Sequence, residues 1–355
     1  MTRAMAIADV AAGLAFRLLL AAHVLFFLSF AAFLYASTQP ASSEAAVCTG
    51  KDLTATLADE DPDMLADISK QAGATQNGRG LLWKVETPGS PASWLFGTMH
   101  VTDPRVTDLP APARAAFDGA ATLVIETTEI LDQKKMMAAL MAQPELMMFT
   151  DDTTLYDLIP EADRAVFDAG LEARGIPPAS VIKMKPWMLA AMVALPACEM
   201  ARKEAGEPVL DVKLAHDAEA GGKTVVGMET VAEQLGAMAS LPMEFHVDGL
   251  IETLRLGERM DDVIETMVQL YEREETGMFW PLFRAVLPSG ADHESSYVAF
   301  EETMIKARNR TMAERAAPYF TEGNAFVAVG ALHLAGPEGL VELLRSAGYT
   351  VTGQP

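Results

Sequence analysis

The sequence has 355 residues, half of them hydrophobic, which is enough to bury one large core or two modest ones. Its 49 acidic residues outnumber 27 basic ones, and the formal net charge of −22 at pH 7 argues against a nucleic-acid partner. An acidic balance favours solubility and says little about the fold.

The first 47 residues differ in composition from the rest. Arg3 and Arg17 precede an apolar run over residues 18–36, which a tail of small and polar residues follows. The run approaches the roughly 20 residues needed to span a bilayer and exceeds the usual core of a signal peptide. A membrane anchor and a cleaved signal peptide both fit. Either way the positive charges precede the run, so the rest should be exported, to the periplasm or the extracytoplasmic face of a membrane.

Cys48 and Cys198 are the two cysteines of the sequence. In an exported chain such a pair favours a disulfide, and two buried thiols are the alternative. Neither cysteine stands in a C-x-x-C or zinc-type spacing, so a cysteine metal site is not expected.

A lead-in over residues 48–80, with a helix near 53–72, precedes the predicted sheet. Alternating residues and a turn predict a hairpin of strands at 81–85 and 93–96. The second strand runs into Gly97-Thr-Met-His100, so an imidazole stands at the carboxyl end of a strand, where open α/β sheets place their chemistry.

A second strand-Gly-x-x-His unit, Gly330-Ala-Leu-His333, lies near the other end of the chain. Each unit continues through a loop, a helix and a further strand, and the first of these further strands ends in Glu126. The domain over residues 81–355 therefore resembles a degenerate internal repeat. We predict an α/β fold: a central mixed sheet from two pseudo-repeated halves, covered by a largely helical middle section.

Several stretches of the middle section have apolar residues at helical spacing. They are 134–148, 161–174, 186–200, 210–220, 243–256, 258–275 and 294–317, with one strand at 224–227. His216, His246 and His293 lie in this section without a partner pattern, and we expect surface positions for them. Methionines at 136–148 fit either core packing or a groove for peptides.

His100, Glu126 and His333 form the first candidate site. Two imidazoles and a carboxylate at strand ends suit manganese, cobalt, zinc or iron, with an open position that activates water. Asp103 and Glu229 are further candidates. The alternative is that each histidine only closes a turn.

Two other groups of residues extend the candidate site. Glu229 follows the strand at 224–227, and Glu233 lies one helical turn beyond it; each is either an acid/base group or a carboxylate at a helix start. Arg308-Asn309-Arg310 offers a cation that could orient a substrate carboxylate or oxyanion, and we assign this role to Arg310. The alternative is that these residues form a solvated helix face.

These motifs resemble the TraB/GumN family, which is related to the Tiki metalloproteases and more distantly to haem-binding and esterase-like proteins. The resemblance covers about residues 80–353 and implies an α/β fold of two related halves with the site between them. It also implies a peptidase dependent on manganese or cobalt, with His100, His333 and Glu126 at its metal.

The sequence thus predicts an exported metal-dependent hydrolase, most simply a peptidase acting on peptides or proteins. Glu126, Glu229 and Arg310 are its candidate catalytic residues, and His100, Glu126 and His333 its metal ligands. Two alternatives lack catalysis: a haem- or ligand-binding protein, and an accessory protein of envelope polysaccharide export.

Overall fold

A mixed sheet of six strands lies at the centre of the protein in a computed structural model, which describes residues 47–286 and 293–354. The apolar run at 18–36 lies outside these residues. Within them, no helix combines the length and the hydropathy needed to cross a membrane. The strands are β1 (Leu82–Glu86), β2 (Ser93–Thr98), β3 (Thr122–Ile125), β4 (Thr224–Gly227), β5 (Ala325–Gly330) and β6 (Thr350–Gln354).

The strands follow one another across the sheet in the order β4-β3-β5-β2-β1-β6. The hairpin partners β1 and β2 are antiparallel, as predicted, and β6 pairs antiparallel with β1 on the other side. β2, β5, β3 and β4 run parallel, with Thr98 opposite Gly330 and Ile125 opposite Gly227. The carboxyl ends of these four strands therefore meet at one edge of the sheet.

Helices make up most of the remaining described chain. In chain order they are α1 (Leu53–Glu60), α2 (Pro62–Ala74), α3 (Pro104–Thr107), α4 (Ala111–Gly119), α5 (Gln133–Ala142), α6 (Leu155–Leu158), α7 (Arg164–Ala173), α8 (Pro178–Val181), α9 (Pro186–Val193), α10 (Ala197–Glu204), α11 (Leu210–Ala220), α12 (Val231–Ala239), α13 (Met243–Leu256), α14 (Arg259–Glu272), α15 (Phe279–Val286), α16 (His293–Phe300), α17 (Ala307–Glu322) and α18 (Leu340–Ser346). A π-helix, Glu301–Lys306, joins α16 to α17.

Helices cover both faces of the sheet. Successive side chains of a strand point to opposite faces. Phe96 and Ile125 accordingly lie in one apolar core with side chains of α4 and α11, while Leu95 and Val124 lie in a second core with α17 and α18. Apolar residues on both faces explain why these strands read as continuous hydrophobic runs.

The helical middle section adds a core of its own. Phe167, Leu189 and Leu250, from α7, α9 and α13, are buried together there. The predicted fold class, a mixed α/β sheet with a largely helical section over it, is confirmed. The internal repeat stays a prediction. Its two Gly-x-x-His units lie side by side at the ends of β2 and β5, but the chain turns differently after the two glycines.

The lead-in forms two helices where one was expected. Asp61 divides them, because its carboxylate accepts a hydrogen bond from Met64 N and Pro62 begins the second helix. Ile68 of α2 is buried in the core of the sheet, and Leu53 of α1 packs with residues of α14. The lead-in is thus part of the packed structure.

Two expectations for the middle section are wrong. The predicted helix over 186–200 is divided into α9 and α10 at Pro196, whose ring fixes φ and which has no N–H to donate. His246 was expected at the surface, yet only 3% of it is exposed, because it lies on the inner face of α13 beside Val247 and Leu250. His216 is exposed, as expected.

The predicted disulfide is present. Cys48 and Cys198 are bonded, with their Cα atoms 5.3 Å apart across 150 positions of sequence. The bond attaches the start of the described chain to α10, and the alternative of two buried thiols does not apply.

Candidate metal centre

Four predicted site residues meet at the carboxyl edge of the sheet. His100 follows β2, Glu126 follows β3, Glu229 follows β4 and His333 follows β5. They come together because their strands are parallel neighbours, although the residues are up to 233 positions apart in the chain. The sequence pattern indicated each strand end, and the sheet order supplies their proximity.

Gly330 marks the point where the two histidines and Glu126 approach one another. A β-carbon placed on Gly330 would lie 3.3 Å from Glu126 Oε1, 3.5 Å from His333 Cδ2 and 3.9 Å from His100 Nε2. Glycine therefore leaves a small space open that all three side chains border. His333 Nε2 itself lies 4.0 Å from Glu126 Oε1.

His333 is buried and held in one orientation. Its Nδ1 lies 2.6 Å from Oδ1 of Asn309, while Asn309 Nδ2 donates to the carbonyl of Glu338 at 2.8 Å. Because that amide oxygen can only accept, the imidazole carries its proton on Nδ1 and keeps a lone pair on Nε2. Burial lowers the pKa of His333 to about 4, despite the opposing charge of Glu126, so this neutral form prevails at neutral pH.

His100 is oriented by a carboxylate. Its Nδ1 lies 2.9 Å from Oδ2 of Asp211, whose other oxygen accepts a hydrogen bond of 2.8 Å from Thr98 Oγ1. The negative charge of Asp211 raises the pKa of His100 to about 9. A cation that binds Nε2 would therefore displace a proton. The side chain is 60% exposed, so the imidazole borders solvent as well as the site.

The two Gly-x-x-His units differ in their local structure. β2 ends at Thr98 and His100 stands on a bend, whereas β5 leads directly into a 3-10 turn, Ala331–His333. A β-carbon on Gly97 would meet Leu334 Cδ1 at 2.7 Å and Ala331 Cα at 3.1 Å. The first glycine thus lets the second turn pack against β2, whereas Gly330 keeps the site open.

Arg308 joins the two carboxylates of the site. Its Nη2 donates to Glu126 Oε2 at 2.7 Å and to Glu229 Oε2 at 2.6 Å, and its Nε donates to Glu229 Oε1 at 3.1 Å. Gln234 Nε2 contacts both carboxylates as well, at 3.0 and 3.2 Å. All three charged groups are largely buried, so the arginine offsets the cost of holding two carboxylates close together.

Glu126 stays ionised in these surroundings. Burial alone would raise its pKa, but the neighbouring His333, His100 and Arg308 and a hydrogen bond from Gly330 N lower it to about 2. The backbone N–H of Gly330 lies 2.7 Å from Oε1, and Arg308 holds Oε2. The carboxylate is therefore fixed in position and negatively charged, with Oε1 facing the histidines.

A second cluster of ligand-type atoms lies elsewhere. Among the described residues, Cys48, Asp103 and Glu199 form the set of three whose ligand atoms all lie within 4.8 Å of one another. The sulfur of Cys48 is bonded to Cys198, and Arg202 pairs with both carboxylates. We interpret this cluster as structural, because its sulfur and charges are already paired.

This cluster nevertheless helps to position the loop that carries His100. Glu199 Oε2 accepts hydrogen bonds of 2.8 Å from both N and Oγ1 of Thr102, two residues beyond His100. Asp103 caps α3 and pairs with Arg105. The loop that carries His100 is thereby attached to α10 and its disulfide.

Comparison with known proteins identifies the family of the chain. The sequence profile of the TraB/PrgY/gumN family matches residues 81–353. The chain belongs to that family. It is 26% identical over 321 residues to "Metalloprotease TIKI2" of Danio rerio, covering 77% of this chain and 61% of the relative. It is 23% identical over 325 residues to "Metalloprotease TIKI homolog" of Nematostella vectensis, covering 78% and 67%.

The protein thus spans about two thirds of the length of these relatives. No solved structure matches it significantly. The resemblance to the TraB/GumN family and its relation to Tiki metalloproteases, both inferred from the motifs, are confirmed.

Three predicted site residues of this TraB/PrgY/gumN protein, Asp103, Glu233 and Arg310, lie outside the cluster at the sheet edge, and Asp103 pairs with Arg105 as described. Arg310, to which we assigned substrate orientation, pairs with Glu302 and Glu338, and 44% of its side chain is exposed. Glu233 closes a capping box with Thr230 at the start of α12 and pairs with Arg315. The structure therefore places Arg308, and not Arg310, among the site carboxylates.

The sequence reasoning missed Asp211, and it gave Asn309 no role. Each is a polar residue on the buried stripe of its helix: Asp211 shares its face with Leu214 and Ala218, and Asn309 with Met312. A polar side chain on an apolar helical face needs a buried partner. That signal is visible in the sequence and could have found both residues.

Proposed function

We propose that the protein is a metal-dependent hydrolase that cleaves peptide bonds at the carboxyl edge of its sheet. The observation that carries this proposal is the orientation of the two imidazoles. The Nδ1 atom of each is held by a fixed partner, Asp211 or Asn309, so that Nε2 is the atom left for a ligand beside Glu126. Metal-binding histidines in proteins are usually arranged in this way.

The donor set fits a divalent metal. Two imidazole nitrogens and one carboxylate are the ligands found at catalytic zinc sites and suit manganese and cobalt as well. His100, His333 and Glu126 would hold the ion. Metal ligands must be deprotonated, and His333 is already neutral and Glu126 already ionised. The exposed His100 would complete the set.

The residues around the ion have separate tasks. When bound, the metal polarises the peptide carbonyl and lowers the pKa of the attacking water. Glu126 supplies its Oε1, because Arg308 holds the other oxygen. Arg308 can also bind a substrate oxygen through Nη1, which in the structure makes one long hydrogen bond of 3.4 Å, to Met304 O. Glu229 fixes the guanidinium and remains our second acid/base candidate.

An exposed apolar surface supports a peptide substrate. Met137 and Met141 of α5 are 48% and 75% exposed, which overturns core packing for these two methionines. α5 packs beside α12, the helix that carries Gln234 into the site. Flexible methionine side chains suit the binding of varied peptide side chains. The relatives' description as metalloproteases agrees with this substrate class.

We also propose that the described part of the chain functions outside the cytoplasm, in the periplasm or attached to the membrane. The disulfide supports this location, because such bonds persist in oxidising compartments and are rare in the cytosol. The apolar run at 18–36 and its preceding arginines favour the same location.

Metal analysis of the purified protein tests the proposal. After incubation with manganese, cobalt or zinc and removal of free metal, we expect one ion per chain, and peptide cleavage that chelators abolish. The His100→Ala/His333→Ala double variant should bind no ion at this site and should not cleave. Equal metal in both proteins would show that the site is misassigned, and cleavage that resists chelators would exclude the mechanism. A haem spectrum on titration would favour the non-catalytic alternative.

A further inference from the structure

A cavity of about 280 Å³ lies within the helical middle section. α9 and α13 form two of its walls, and residues of α14, α15 and α16 complete it. The mechanism proposed above does not use this cavity. A cavity of roughly 150 Å³ already accommodates benzene, so this one has room for a substituted aromatic ring.

Aromatic side chains line much of the cavity. Phe245, Phe283 and Phe300 border it, and Trp280 stacks on Phe283 and Phe300 with ring centroids 5.9 and 5.5 Å apart. Phe245 contacts Phe300 at 5.8 Å. Because these rings support one another, the wall has a defined shape, as small-molecule sites require.

Buried polar atoms border the same space without hydrogen-bond partners in the described part of the chain. His246 is 3% exposed, and neither of its ring nitrogens is hydrogen-bonded among the described residues. The same holds for Nε1 of Trp187 and Oε2 of Glu252, which also line the cavity. Such groups destabilise a fold unless a partner satisfies them. These four atoms, in three side chains around one cavity, have no partner among the described residues, although the other oxygen of Glu252 pairs with Arg255, and they point to a ligand.

The chemistry of these groups defines what the ligand carries. Burial lowers the pKa of His246. The nearby Met238 carbonyl raises the pKa by a smaller amount and is not in hydrogen-bonding geometry with the ring. The imidazole is therefore neutral, with one donor and one acceptor nitrogen. Trp187 Nε1 can only donate and Glu252 Oε2 accepts. A ligand hydroxyl both donates and accepts, and so matches this set.

We propose that the cavity is a binding site for an aromatic ring that bears a hydroxyl or N–H group, the chemistry of tyrosine and tryptophan side chains and of free phenols and indoles. The ring of the ligand occupies the space between the aromatic side chains, and its polar group contacts His246, Trp187 and Glu252. This site does not depend on the metal centre, because none of its residues belongs to that centre.

Calorimetric titration of the full chain in the presence of a chelator tests the proposal apart from the metal site. We expect p-cresol to bind in the millimolar range or tighter, and toluene, which lacks the hydroxyl, to bind about tenfold more weakly because the polar groups stay unpaired. No binding of p-cresol, or equal affinity for both, would overturn the proposal. If N-acetyltyrosinamide binds with similar affinity, the natural ligand is a peptide side chain. If it does not bind, the natural ligand is a free phenol.

Two matched variants check the location. Gly249 of α13 lines the cavity, and a β-carbon there would meet nothing within 4 Å, so Gly249→Leu fills the cavity without displacing the backbone. It should weaken p-cresol binding at least about tenfold. Gly73→Leu, at an exposed position of α2 where the space is equally open, should bind p-cresol like the wild type. Unchanged binding to the Gly249 variant would refute the site. His246→Phe should reduce the preference for p-cresol over toluene.

Discussion

At the scale of single residues, the candidate metal centre depends on groups that hold its ligands. His100 and His333 stand in the same sequence motif, yet a carboxylate orients the first and an amide the second. Burial keeps His333 neutral, whereas the carboxylate of Asp211 favours a protonated His100. The two ligands therefore approach a metal from different protonation states, and their partners should matter as much as the ligands.

Replacing Asp211 by asparagine tests this view. Asparagine can still accept the hydrogen bond of Thr98, but its amide group would face the Nδ1–H of His100. The imidazole then favours the tautomer protonated on Nε2, the atom needed for a metal. We expect affinity for manganese, cobalt and zinc to fall about 10–100-fold in calorimetric titration.

The same helix provides the control for this prediction. Asp217→Asn changes an exposed carboxylate of α11 that pairs with Arg114 and Lys213. It should bind metal like the wild type. Equal affinity in the Asp211 and Asp217 variants would contradict a role for Asp211 in orienting His100.

Arg308 and Arg310 offer a second comparison at this scale. Arg308→Gln leaves the buried Glu126 and Glu229 without their cation and should destabilise the metal-free protein by about 3–5 kcal/mol. Arg310→Gln removes two exposed ion pairs and should change the free energy of unfolding by less than about 1 kcal/mol. Urea denaturation in the presence of a chelator measures both, and equal losses would show that Arg308 is not the central cation.

At the scale of elements, α10 connects the disulfide to the loop of the site. This short helix carries Cys198 beside Glu199, and Glu199 holds Thr102 just beyond His100. Because Pro196 separates α10 from α9, the helix depends on its contacts with the rest of the protein for its position. Among these contacts, the disulfide between Cys198 and Cys48 is covalent.

Removing the disulfide should therefore weaken this part of the protein. The Cys48→Ser/Cys198→Ser variant is expected to lose about 2–4 kcal/mol of its free energy of unfolding, since the bond restricts a long loop in the unfolded chain. Dithiothreitol should lower the melting temperature of the wild type towards that of the variant and leave the variant unchanged. A variant as stable as the oxidised wild type would mean that non-covalent contacts alone hold α10.

The sequence predicted the strands and most helices because their patterns are local. The three residues after Thr122, for example, are apolar, include the β-branched Val124 and Ile125, and are buried as expected. Three things could not be read locally. The sheet order that places β5 between β3 and β2 depends on tertiary packing, the choice between Arg308 and Arg310 depends on helix rotation, and the burial of His246 depends on neighbouring helices.

At the scale of the whole molecule, the lead-in belongs to the fold although the family match begins at residue 81. Ile68 of α2 is 2% exposed within the core of the sheet, and Leu53 of α1 donates its N–H to Thr266 of α14 at 2.7 Å. The domain boundary at residue 81, predicted from composition, therefore separates segments that pack together.

Two fragments test whether the lead-in is needed. Burial of a large aliphatic side chain contributes about 1.5–3 kcal/mol, so losing Ile68 and Leu53 alone removes roughly 3–6 kcal/mol from a total of about 5–15 kcal/mol for a typical domain. Because residues 81–355 lack Cys48, both fragments carry Cys198→Ser so that neither has the disulfide. We expect residues 47–355 to unfold cooperatively in scanning calorimetry, and residues 81–355 to melt at a much lower temperature or to aggregate. If both fragments melt at the same temperature, the lead-in is an accessory segment and the matched region folds alone. A lower melting temperature for the shorter fragment would place the folding boundary near Val47, because α1 and α2 then complete the core that supports β2 and the loop of His100.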